Sequence, residues 1–168
     1  DDGAFDSVSV RFGYMFFPDA ARATAELVRV LKPGGRLCSS VWVGPDENPW
    51  TSIVMDAIST EVALPPPDPD GPSMFRCAAP NHVAALYEAA GLHDVAEWEV
   101  GVELVTSSPA EFWMMMREHV SLAAAALGSV DIATQERIGA SVVSDVGPYE
   151  RDGAIRVPGL ARCIVGTR

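Results

Sequence analysis

Hydrophobic and polar positions alternate at the start of this chain and then switch to helical spacing. Residues 5–10 alternate apolar and polar side chains, which predicts a strand. Apolar residues then recur at three- and four-residue spacing, which predicts a helix beginning at Pro18 and ended by Pro33. Residues 36–42 resume a strand after a glycine pair that allows a reversal. The segment therefore predicts a strand–helix–strand unit whose two strands are parallel.

Further elements follow from the same patterns. Helices are predicted at 49–62, 80–90, 109–127 and 131–143, and strands at 95–105 and 154–167, the last interrupted near Pro158 with its firm part at 160–166. A proline-rich stretch at 65–72 predicts an extended loop inserted within one domain. Strands that alternate with helices favour an α/β fold with flanking helices.

Composition narrows the class of protein. The chain has 168 residues, of which 48% are hydrophobic, and this is enough for one globular domain. The formal net charge of −11 argues against a nucleic acid or an anionic membrane as partner. The apolar runs are interrupted by proline, glycine or charge before they reach the length of a membrane span.

The cysteines are few and widely separated. Cys38, Cys77 and Cys163 form no C-x-x-C pair, so neither a metal site nor a disulfide framework is predicted. This usage favours a reducing, cytoplasmic location. Cys38 and Cys163 fall in predicted strands and are interpreted as small buried apolar residues.

Two linked motifs carry a family resemblance. The run RVLKPGGRL follows the first helix, and RFGYMFFPD precedes that helix at the expected distance. Together they resemble the second half of a class I S-adenosylmethionine-dependent methyltransferase, in particular the small-molecule enzymes related to ubiquinone/menaquinone C-methyltransferases. The likeness continues more loosely through AAGLHDV at 89–95.

The resemblance implies a fold. The chain is similar to the C-terminal half of a Rossmann-like methyltransferase sheet, which is mixed because its last strand is antiparallel. The strands would be the fourth, fifth, sixth and seventh of the family, in the spatial order fourth, fifth, seventh, sixth. The G-x-G-x-G loop of the family does not occur in this chain. Residues 1–168 are therefore interpreted as a single partial domain that lacks the glycine-rich cofactor-binding half.

The resemblance also implies site residues. Arg11, Phe12 and Gly13 follow the fourth strand, where the family places the methionine portion of its cofactor; the alternative is a simple connection in which Phe12 packs in the core. Further residues are candidates for lining the acceptor pocket, with core packing, or a surface position for the histidine, as the alternative: Tyr14, Met15, Trp42, Trp50, Trp113, Met116 and His119. No catalytic residue is assigned, because methyl transfer depends mainly on positioning and exclusion of water.

Two functions stay open on the sequence. The first is methyl transfer from S-adenosylmethionine to a small, fairly apolar acceptor, with the 168 residues inactive on their own. The second is a non-catalytic α/β module for dimerisation or interaction. The edge of strand 5–10 would be unpaired, and pairing with a second copy would close it as a homodimer.

Overall fold

The computed structural model describes residues 1–64, 71–119 and 121–168, but not the side chains of residues 119, 121 and 122. The helices are α1 (Ala20–Val30), α2 (Pro49–Ser59), α3 (His82–Ala89), α4 (Pro109–His119), α5 (Ser121–Leu127) and α6 (Ile132–Val146). The strands are β1 (Phe5–Arg11), β2 (Leu31–Trp42), β3 (His93–Thr106), β4 (Glu150–Arg151) and β5 (Ala154–Thr167). The predicted proline-rich loop lies outside the described residues except for positions 71 and 72. Among the described residues, no helix is long and apolar enough to cross a membrane.

The described strands form one mixed sheet. Its order is β1-β2-β5-β3, and β4 pairs with β5. β1 is parallel to β2, and β2 is antiparallel to β5. This is the order that the family resemblance implies, and the predicted fold class is confirmed. The parallel pair requires a crossover connection, which α1 supplies.

The start of α1 differs from the prediction. The first helical residue is Ala20 and not Pro18. Asp19 precedes it, and its Oδ1 accepts a hydrogen bond from the Arg22 N–H at 2.8 Å. An aspartate side chain satisfies an unpaired N–H of the first turn, which proline cannot do, so the helix begins two residues later than predicted. The helix ends at Val30, and β2 begins at Leu31 with an irregularity in its pairing to β1 before Arg36.

The chain divides into two compact units. The first contains the described residues of 1–44, 71–101 and 160–168. Its hydrophobic core lies on one face of the sheet and includes Tyr14, Met15, Leu31, Leu37, Val41, Tyr87 and Ile164. Along β2 the buried Leu37 alternates with the exposed Cys38, so the opposite face of this part of the sheet is accessible. The single-domain interpretation stays a prediction.

The second unit contains the described residues of 45–64 and 102–159. Within it α4 contacts α5 and α6, and α2 contacts α5 and α6. The Ser108 Oγ accepts a hydrogen bond from the Glu111 N–H at 3.1 Å and so caps the start of α4. Glu111 reaches back to Ser107, whose side chain and N–H hold the pKa of that carboxyl below its usual value.

A short hairpin joins β4 to β5, and the sequence analysis did not predict it. Asp152 and Gly153 have φ values of 52° and 74°, and a two-residue turn with positive φ at both positions is the favoured connection between antiparallel strands. β5 continues without a break through Pro158, so the predicted interruption is wrong. The side chain of Pro158 is exposed, so its ring does not have to pack against neighbouring residues within the strand.

Candidate functional site

The carboxyl ends of β1 and β2 meet at one edge of the sheet because the two strands are parallel. Arg11 at the end of β1 lies opposite Ser40 of β2. The next residue, Phe12, donates its backbone N–H to the Ser40 carbonyl oxygen at 2.9 Å. This bond extends the pairing by one residue and fixes the Phe12 backbone beside the end of β2.

Phe12 stacks on Trp42 at this edge. The ring centroids are 4.1 Å apart and the planes differ by 14°. The Arg11 guanidinium carbon lies 5.7 Å from the centroid of the Phe12 ring. Phe12 has a φ of 51°, a left-handed conformation that residues with a Cβ rarely adopt. Such strain occurs often where a structure holds groups for binding, so Phe12 is a candidate for function and not only for packing.

Gly13 allows the chain to turn sharply after Phe12. A Cβ at this position would lie 2.9 Å from Val10 Cγ1, which is too close for any larger residue without a shift. The Gly13 carbonyl accepts a hydrogen bond from the Phe16 N–H at 3.0 Å and so begins a short turn of 3-10 helix. Arg11, Phe12, Gly13 and Trp42 are therefore brought together.

Tyr14 and Met15 lie in the hydrophobic core, 0% and 1% exposed. The Tyr14 hydroxyl is hydrogen-bonded to Thr24 Oγ1 at 3.1 Å, and burial raises the pKa of this phenol. A buried phenol of this kind stays protonated at neutral pH, which removes it as a general base. Packing accounts for the position of both side chains, and a role in lining a pocket stays a prediction.

Four of the predicted pocket residues belong to the second unit: Trp50, Trp113, Met116 and His119. Trp50 is 6% exposed, and its Nε1–H donates to Asn48 Oδ1 at 3.2 Å. Met116 is 3% exposed. The side chain of His119 lies outside the described part of the chain.

Trp113 lines a groove between α4 and α6 of the second unit. A Cβ on Gly139 of α6 would lie 2.7 Å from Trp113 Nε1, so only glycine lets the helix approach the indole so closely. The Arg117 guanidinium carbon lies 6.0 Å from the Trp113 ring centroid. The groove has a volume of about 510 Å³, and the exposed Met114 and Ile132 also line it.

Comparison with known proteins finds a family match over the first strand–helix–strand segment, which includes Arg11, Phe12 and Gly13 but not Trp42. The profile of the methyltransferase domain family matches residues 1–39, which contain β1, α1 and most of β2. The demethylmenaquinone methyltransferase of Thermus thermophilus is 58% identical over 36 residues, or 21% of this chain and 16% of the relative. The enzyme of the same name from Lactiplantibacillus plantarum is 46% identical over 46 residues, or 27% of this chain and 19% of the relative.

Residues 1–39 are therefore similar to the methyltransferase domain family, and the matched relatives are demethylmenaquinone methyltransferases. The alignments span less than a fifth of either curated relative. Among solved structures, the YcgJ protein from Bacillus subtilis is 16% identical, and the match covers 99% of this chain and 65% of that one with a TM-score of 0.47.

The chain also has a recess on the accessible face of its first unit, which the sequence analysis missed. Ser9, Cys38, Ser40, Trp98 and Cys163 are among the residues that line its volume of about 260 Å³. The interpretation of the strand cysteines as buried is wrong: Cys38 is exposed and Cys163 is half-buried, whereas Cys77 is the buried one. The strict alternation of β2 was the signal available in the sequence, because it places Cys38 opposite to the core residues Leu37 and Val41.

The chemistry available at the strand ends is that of binding. Arg11 offers a permanent cation to a carboxylate or phosphate, and the Phe12 and Trp42 rings offer faces that attract a cation or stack on a planar group. Among the described residues, no group of three or more His, Cys, Asp and Glu side chains is arranged to hold a metal ion.

Proposed function

We propose that this chain forms part of a methyltransferase that transfers a methyl group from S-adenosylmethionine to a small, fairly apolar acceptor. The observation that carries the proposal is the strained Phe12 stacked on Trp42 at the carboxyl ends of two parallel strands, within and next to the segment that matches the family profile. Ligands of open α/β sheets bind outside the carboxyl ends of the strands, which supports this position for the site.

The residues at the strand ends fit the proposed cofactor. When bound, S-adenosylmethionine would supply an electrophilic methyl group on a sulfonium ion. The Arg11 guanidinium would bind the carboxylate of the methionine portion. The electron-rich faces of Phe12 and Trp42 would attract its positive charge. Gly13 would let the backbone turn away so that this edge stays accessible.

The proposed pocket for the methyl acceptor would be lined by aromatic and sulfur-containing side chains. Trp42 would form one wall of an apolar pocket, as suits a site that is mostly hydrophobic with few polar groups. The acceptor-lining roles of Tyr14, Met15, Trp50, Trp113, Met116 and His119 remain predictions.

We expect the 168 residues to catalyse no methyl transfer on their own. Their sequence contains no G-x-G-x-G loop, which the family resemblance assigns to the cofactor. S-adenosylhomocysteine, the product that the cofactor leaves after methyl transfer, is expected to bind weakly to the strand ends alone. Only part of the ligand would contact the protein there.

Titration of S-adenosylhomocysteine into the ¹⁵N-labelled chain tests the cofactor site. We expect weak binding, with resonance shifts concentrated at the amides of Arg11, Phe12 and Gly13 and at the Trp42 indole. Trp42→Leu should weaken the binding by roughly 2- to 10-fold, because aromatic contacts are worth about 0.5–1.5 kcal/mol. Trp98→Leu, at an exposed tryptophan on β3, is the matched control and should leave the binding unchanged.

Other outcomes would contradict specific parts of the proposal. Shifts confined to other residues would remove the strand-end site. Consumption of S-adenosylmethionine by the 168 residues would contradict the expected inactivity. Complete absence of shifts at millimolar ligand would favour the second function, a non-catalytic interaction module.

The second function has its own support in the sheet edge. β1 is the outermost strand of the sheet that the described residues form, and its Phe5 is 54% exposed. Such an edge offers unpaired N–H and C=O groups to another strand. In this alternative, β1 pairs with β1 of a second copy about a two-fold axis.

Sedimentation velocity over a range of concentrations tests the homodimer. We expect a dimer at micromolar concentration, and Ser7→Lys on β1 should shift it to monomer, because lysine on an edge strand opposes pairing. Ser144→Lys on an exposed position of α6 adds the same charge elsewhere and should leave the dimer intact. A wild-type monomer at these concentrations would rule out the edge pairing.

A cytoplasmic location likewise stays a prediction.

A further inference from the structure

Two cysteines share the accessible face of the sheet. In the antiparallel pairing of β2 with β5, Cys38 lies opposite Val165 and Ser40 lies opposite Cys163. Residues that lie opposite each other point to the same face, and so do residues two positions apart along a strand. Cys38 and Cys163 are therefore diagonal neighbours, and both line the recess of about 260 Å³.

Both thiols are open to a ligand. Cys38 is exposed and Cys163 is half-buried. The third cysteine, Cys77, is 2% exposed and belongs to the core on the other side of the sheet. The recess thus brings together the two accessible thiols of a chain that has three cysteines.

The spacing of the pair favours a bridging atom over a direct disulfide. Diagonal neighbours on antiparallel strands have Cα atoms about 7–8 Å apart. A disulfide usually requires about 4.4–6.8 Å. An ion bound in line by two sulfurs separates them by about 4.6 Å, at roughly 2.3 Å for each metal–sulfur bond.

The lack of further ligands limits which ion fits. Among the described residues, no third histidine, cysteine or carboxylate joins the pair in a metal-binding group. Zn²⁺ in a structural site takes four protein ligands, so two thiolates do not complete its coordination. A soft d¹⁰ ion such as Cu(I) prefers thiolates and is satisfied by two of them in line.

We propose that Cys38 and Cys163 form a two-thiolate binding site for a soft monovalent cation of the Cu(I) type. Two S–H bonds break, two metal–sulfur bonds form and both protons leave to solvent, with no change in oxidation state. The product carries one net negative charge. Arg11 lies opposite Ser40 in the same row as Cys163 and also lines the recess, where its guanidinium offsets that charge.

Anaerobic competition with bicinchoninate, a coloured Cu(I) chelator, tests the site. We expect the chain to take up one Cu(I). Cys38→Ala and Cys163→Ala should each lower the affinity by on the order of 100-fold or more, since even the loss of a second-shell group costs about 10–100-fold. Cys77→Ala is the matched control and should bind as the wild type does. Circular dichroism would establish that each variant is folded.

Two results would overturn the site. The first is unchanged affinity in either Cys38→Ala or Cys163→Ala, and the second is an equal loss in folded Cys77→Ala. Uptake of Cu(I) does not require methyl transfer, so its failure would leave the proposed function in place.

Discussion

Arg162→Met is expected to destabilise the protein by about 3–5 kcal/mol, because it would leave the largely buried Glu97 carboxylate without its cation. Arg162 is 4% exposed. Its Nε lies 3.2 Å from Glu97 Oε1 and its Nη2 lies 2.8 Å from Glu99 Oε1. It also donates to the Ala78 carbonyl oxygen. One guanidinium therefore joins β5, β3 and the chain before α3.

Glu97 makes the loss of Arg162 costly. Its side chain is 15% exposed, and its Oε2 is buried with no hydrogen-bond partner among the described residues. Without Arg162, the Asn81 N–H, which donates to Glu97 Oε1 at 3.1 Å, would be the remaining support of this carboxylate. A largely buried carboxylate with a single hydrogen-bond donor is strongly disfavoured. The loss of Arg162 therefore lowers the free energy of unfolding.

Urea unfolding of matched variants measures the effect. Arg156→Met makes the same substitution on the same strand, where Arg156 pairs with Glu103 at 3.3 Å and both side chains are more than a third exposed. Surface pairs contribute about 0–1 kcal/mol, so this control should unfold almost as the wild type does. The double variant Arg162→Met with Glu97→Met should recover part of the loss. Equal effects at Arg162 and Arg156 would contradict the importance of burial.

The second large effect is expected at Tyr14. Tyr14→Ala should lower the free energy of unfolding by about 3–5 kcal/mol, as for other buried aromatic residues. The ring is fully buried, with the Phe17 ring 5.4 Å and the Tyr87 ring 6.0 Å from its centroid. The substitution would leave a cavity and would also remove one hydrogen-bond partner of the Thr24 hydroxyl, which keeps its bond to the Ala20 carbonyl oxygen.

Two neighbouring substitutions separate packing from hydrogen bonding. Tyr14→Phe keeps the ring and removes the hydroxyl, at a cost of about 1 kcal/mol. Phe16→Ala lies in the same turn of 3-10 helix, but Phe16 is 50% exposed, and the loss should be about 1 kcal/mol or less. Thermal and urea unfolding would measure all three. A Tyr14→Ala protein as stable as the wild type would contradict the importance of this packing.

The hydrophobic pattern of the chain was sufficient to predict most of its elements. The alternation of residues 5–10 and the helical spacing before Pro33 predicted β1, α1 and β2, because burying one face requires that period. The strand order came from the family resemblance, which supplied what a local pattern cannot. The helix start was not predicted correctly. The pattern favoured Pro18 as the first helical residue, whereas Asp19 caps a helix that begins at Ala20.

The structure alone determined which residues come together. Nothing in the sequence near Phe12 predicts its left-handed backbone, which depends on the hydrogen bond to Ser40, a residue of the neighbouring strand. Cys38 and Cys163 likewise become diagonal neighbours only through the register of β2 and β5, two strands that are far apart in the chain. Local periodicity determines what each segment forms, because it reflects which face must be buried. Contacts between distant segments depend on register and packing, and these are settled only when the whole sheet is assembled.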